Sequence, residues 1–167
     1  MAALGVFVAG AYTGTYNGVA TGMTRQGHEL EFTLKQETIN ESDLYGLTTI
    51  DAVLRGGDCF YQAEFREYKA GSLACFTTPF TGSVGSIFSA AKPIGRLASS
   101  EALALVLTSV ANTPAAATPA TLTASQALLA EGYPVKLLYD SRLRPVPIRM
   151  QLYPTVSGGT GSWFSST

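Results

Sequence analysis

The 167-residue chain predicts a mainly β fold, an antiparallel β-sandwich or barrel with one short flanking α-helix. Three observations predict it. Clean period-two alternation runs over residues 28–39, with Leu30, Phe32 and Leu34 on one face and Glu29, Glu31, Thr33 and Lys35 on the other. Further apolar or β-branched stretches of strand length recur at 47–54, 59–67, 103–110 and 146–153. Gly- and Pro-rich turns separate these stretches, and the alternation of strand with helix that builds a parallel sheet does not occur. The length fits a single domain over 1–167, with an N-terminal arm over about residues 1–12.

The elements follow in order. The opening Met1-Ala-Ala-Leu-Gly-Val-Phe-Val has a short apolar core without a basic leader, which favours an arm or first strand over a signal peptide. Tyr16-Asn17-Gly18 reads as a turn, and the acidic strand 28–39 comes after it. Residues 47–54 and 59–67 predict a hairpin, because the Gly56-Gly57 pair in Arg55-Gly-Gly-Asp58 permits the positive φ of a tight turn. A short helix is expected over 70–76, stopping before Pro79. From there to Ile94 the chain reads as loop, with a short strand near 83–88. Residues 103–110 suit a strand, although 101–106 alone also fits a helix. Pro114 and Pro119 make 111–121 an extended connector. Thr123 can cap a helix that runs to Glu131, with Gly132 as its stop. Alternating segments 135–139 and 146–153 then flank a basic turn at 140–145, and a terminal strand is expected at 163–166.

Catalytic and metal-binding signatures are missing from the sequence. There is no HExxH, GxSxG or P-loop spacing, and no serine has a histidine partner by motif. No cofactor is expected. His28 is the only histidine and reads as a surface or capping residue. Cys59 and Cys75 lack metal-ligand spacing and read as buried free thiols, though a disulfide between them is compatible with the sequence. Glu29 with Glu31 and Glu64 with Glu67 form carboxylate pairs; the first pair shares a strand face about 6.6 Å apart. Such a pair serves acid–base chemistry in a cleft, or simply a solvated strand face. No run of about 18 apolar residues is present to span a membrane as a helix.

Charge is sparse and uneven. With 46% hydrophobic and 14% charged residues and a net charge of −1, the composition favours association of copies. Residues 29–67 hold nine acids and three bases, or −6, whereas 136–149 hold four bases and one acid, or +3. The two regions can pair within one subunit or across neighbours, where complementarity sets register.

The layout resembles that of the bacteriophage tail tube (major tail) proteins. The resemblance lies in the Tyr16-Asn17-Gly18 turn with the acidic strand from Glu29, and in the Asp43–Asp51 run with Gly56-Gly57. It continues through 105–108, the helix-like segment after Thr123 and the 136–152 block, so that most of 12–167 is covered. It implies a tail-tube-like β domain, a virion protein made in the host cytoplasm, and six copies per ring stacked into a hollow tube. The implied partners are other copies, a tape-measure protein in the lumen, tail terminator and baseplate or tip proteins, and a sheath where the tail contracts. DNA would pass the lumen without adhering, because acidic walls repel phosphates where basic ones bind them. Glu29, Glu31, Asp51 and Glu64 are the expected lumen-facing residues. Leu4, Phe7, Arg142, Arg144, Arg149, Trp163 and Phe164 are the expected subunit contacts, with packing onto the chain's own core as the alternative for the aromatics. Two other classes stay open. A carbohydrate-binding or other virion β-sandwich would expose aromatics such as Tyr12, Tyr16, Tyr61 and Tyr68, and a β-barrel enzyme would use the Glu pairs in a pocket.

Overall fold

A computed structural model of the chain describes residues 11–41, 48–78, 97–110, 121–134, 136, 145–157 and 160–166. The expected segments at 1–10, 83–88, 111–120 and 137–144 lie outside the described residues.

Strand β1 (Tyr12–Tyr16) turns into β2 (Val19–Ala20) through Asn17 and Gly18, at φ 51° and 74°. A two-residue loop with both residues left-handed matches the twist of the strands it joins. Two 18-residue strands follow, β3 (Thr24–Glu41) and β4 (Thr48–Phe65), and they pair antiparallel over their length. Helix α1 (Ala70–Thr77) begins where Ser72 Oγ accepts the Lys69 amide at 2.9 Å, half of a capping box. A single-turn helix α2 (Ala98–Glu101) leads into β5 (Leu103–Ser109), and then come β6 (Thr121–Leu129) and β7 (Val146–Leu152). The C-terminal segment adds β8 (Thr155–Ser157), β9 (Thr160–Ser162) and β10 (Ser165–Ser166).

The fold is mainly antiparallel β, as expected. One sheet runs in the order β2-β1-β5-β6-β7-β4-β3, β10 lies beside β6, and β8–β9 form a separate ribbon. The sheet curls around its core. Alternation decides which side chains enter: on β7, Val146, Ile148, Met150 and Leu152 are buried while Pro147, Arg149 and Gln151 face outward. Cys59, Tyr61, Ala63 and Phe65 of β4 join them inside. Helix α1 fills the hollow from Leu73 to Phe76, and Phe76 meets Phe65 edge-on at 6.3 Å. Burial pushes the thiols up, Cys59 to about 11 and Cys75 to about 12, and both cysteines are free. No helix among the described residues is long and apolar enough to cross a membrane.

Two expected elements are corrected. Residues 121–129 form strand β6, where a helix was expected from Thr123. Ala, Leu and Gln favour helix weakly, and pairing with β5 on one side and with β7 and β10 on the other overrides that preference. Its small alanines leave room for Tyr16, whose hydroxyl donates to the Ala127 carbonyl at 2.9 Å. Gly132, at φ 69°, comes just after the strand and not after a helix. The second correction is at Gly56-Gly57, which does not turn the chain. β4 runs straight through it, with Arg55 as an extra residue between the pairs Lys35↔Gly56 and Gln36↔Leu54. Gly56, at φ 125°, relieves a bulge, the other structure that a glycine inside a strand can mark.

Candidate functional site

The β3–β4 hairpin outgrows the domain. β7 accompanies β4 only from Phe65 to Cys59, which pairs with Leu152. Beyond that point, among the described residues, β3 and β4 pair only with each other, as a two-stranded arm of roughly nine residues per strand, about 30 Å. The face that is core inside the domain continues past Phe32 along the arm as Leu34 and Leu54, and among the described residues no opposing layer covers these two. Leu34 is 63% and Leu54 67% exposed. Ile39 and Val53 on the other face are exposed as well. That second face also carries cross-strand ion pairs, Lys35–Asp58 at 2.6 Å and Glu37–Arg55. The arm therefore carries ion pairs beside Ile39 and Val53 on one face and, among the described residues, uncovered Leu34 and Leu54 on the other.

Trp163 and Phe164 close the base of the arm. Their rings lie 6.5 and 5.7 Å from Phe32, and the Trp163 ring reaches the place where a side chain at Gly57 would stand. Phe164 also covers Leu30, Leu105 and Leu152 at the open end of the core. Both aromatics thus pack on their own chain. Removing 160–167 strips this cover and strand β10 together, so it is expected to cost stability as well as contacts.

Glu29, Glu31 and Glu64 come together on the outer face of β3 and β4, opposite the core, by strand alternation. Asp51 does not join them. It lies on the arm thirteen residues before Glu64 on the same strand, about 43 Å away, and its Oδ1 accepts the Ala52 amide. Arg149 of β7 reaches across this face: its guanidinium donates to Glu31 at 2.9 Å and lies 4.1 Å over the Phe60 ring. Gln62 donates to the same Glu31 carboxylate at 2.6 Å, and Arg25 stands 3.6 Å from Glu64. The acidic and basic regions of the sequence therefore meet at least once within the subunit. A shallow groove of about 190 Å³ runs between Glu29, Glu64, Tyr133 and Pro147. Arg142, Arg144, Leu4 and Phe7 lie outside the described residues.

Both partners of the Glu31–Arg149 pair are more than a third solvated or close to it, so screening limits its worth. A double-mutant cycle with Glu31→Gln and Arg149→Met is expected to give a coupling of about 0.5 kcal/mol. The coupling should shrink in 1 M salt, where the Debye length is about 3 Å.

Sequence reasoning missed the place of His28. Its imidazole turns inward, half-buried, between Tyr61 and β1, and alternation with Leu30 was the available signal. The arm was missed for a different reason: Leu34 and Leu54 look like core residues until the length of β7 is known. No protein-family model matches the chain, and a search of curated proteins returned no significant match.

Proposed function

We propose that the chain is a structural virion protein that self-assembles into stacked hexameric rings, forming the hollow phage tail tube through which DNA is ejected. The observation that carries this reading is the projecting arm. A long two-stranded ribbon whose outer edges and exposed leucines have no cover among the described residues is a liability in a lone subunit, and a neighbouring copy removes it. Contact of this arm with a different surface on the next copy is heterologous. Such contacts close into rings or continue as filaments. The tape-measure protein would occupy the lumen, and terminator and tip proteins would occupy the two ends.

In this reading Glu29 and Glu64 line the channel, while Glu31 is already neutralised by Arg149 and Asp51 belongs to the arm contact. Lysine at Glu29 and Glu64 together is expected to slow DNA delivery from assembled particles, and unchanged delivery would remove these residues from the channel wall. Size-exclusion chromatography with light scattering tests assembly itself. Masses at multiples of six subunits support it, and a monomer at every concentration contradicts it. The carbohydrate-binding alternative loses support from burial, because Tyr16 and Tyr61 are wholly inside and form no exposed aromatic platform.

A further inference from the structure

The two ends of the curled sheet meet at His28. No ladder pairs β1 with β3 among the described residues, and the approach is bridged by other groups. His28 Nε2 lies 3.2 Å from the Tyr12 carbonyl oxygen of β1. Next to it, the Thr21 amide and hydroxyl reach the Gly14 carbonyl at 2.9 and 3.0 Å. On the other side, His28 Nδ1 lies 2.7 Å from the Tyr61 hydroxyl of β4, with the two rings stacked at 5.8 Å. A carbonyl only accepts, so Nε2 carries the proton and Nδ1 accepts from the Tyr61 O–H. Gly14 makes room for this arrangement, since a Cβ there would stand 3.0 Å from His28 Cε1.

We propose that His28 is an acid-labile latch that holds β1 against β3, and that protonating it opens this seam and frees the adjoining edge of β3 for pairing with another strand. The groups facing the imidazole are Tyr61 from β4, Tyr12 and Gly14 from β1, and Thr21 from the β2–β3 connection. A proton on Nδ1 would point at the hydroxyl hydrogen of Tyr61, which must swing away. Tyr61 is fully buried, and among the described residues its hydroxyl has no second partner to receive that hydrogen. Burial holds the imidazole below its ordinary 6.5, although the Tyr12 carbonyl pulls the other way. The folded state therefore binds fewer protons than the unfolded chain, and stability falls as pH drops through the range below about 6.5.

The latch is independent of tube assembly and acts within the monomeric fold. Nuclear magnetic resonance of the full chain would follow the His28 ring signals and the exchange protection of the β1 amides from pH 7.5 to 5. We expect His28 to titrate below 6.5, with β1 protection falling over the same range. His28→Gln keeps a donor and an acceptor without titrating, so it should abolish this pH dependence. A His28 that titrates at 6.5 or above, β1 protection that does not change, or the same pH dependence in His28→Gln would each overturn the latch. Where His28→Gln does not fold, the wild-type titration and protection data decide alone.

Discussion

Replacing Leu34 and Leu54 together by serine is expected to abolish assembly while leaving the subunit folded. Both side chains are mostly exposed on the arm, so the isolated fold gains or loses little, within about 0.5 kcal/mol for surface positions of this kind. In an assembly that covers the arm, each leucine contributes about 1.5–3 kcal/mol of burial. Losing both removes about 3–6 kcal/mol from every arm contact, more than a hundredfold in its association constant. Circular dichroism melting and light scattering on the same sample separate the two effects. An unchanged melt with loss of large species is expected, whereas large species persisting would show that the arm is not the contact.

The second large effect is internal. Gly71, at the start of α1, packs so closely on the β2 segment that a Cβ would run into the carbonyl oxygens of Val19 and Ala20. Both are backbone atoms and cannot swing aside. Gly71→Ala is therefore expected to push α1 out of the hollow and destabilise the fold by about 2–3 kcal/mol, the upper range for overpacking. Gly132→Ala serves as a contrast: nothing lies within 4 Å there, and only the φ of 69° is strained, so about 1 kcal/mol is expected. Urea unfolding of the two variants checks the order. Equal costs would mean that the helix yields freely.

How far the sequence revealed the fold differs from element to element. The long acidic strand was legible because period-two alternation has no other structural source over so many residues. Helix α1 was legible from its composition and from Pro79, and the 16–18 turn from Asn17-Gly18. β6 was not, because Ala124-Ser-Gln-Ala-Leu-Leu is a helical composition and its strand state comes from neighbours far away in sequence. Gly56-Gly57 carries the same local signal for a turn and for a bulge, and only pairing with β3 decides between them. The acidic face was legible as a cluster, but its pairing with Arg149 was one of two open alternatives. The C-terminal aromatics were read as subunit contacts or as packing on the chain's own core, and their rings engage Phe32 of the same chain.

In the proposed assembly another copy covers the arm. Negative-stain electron microscopy of the purified full chain at high concentration tests it most directly. Six-fold rings, or tubes of stacked rings with an axial channel, are the predicted result. A field of single separate particles, matching a monomer in solution, would contradict it.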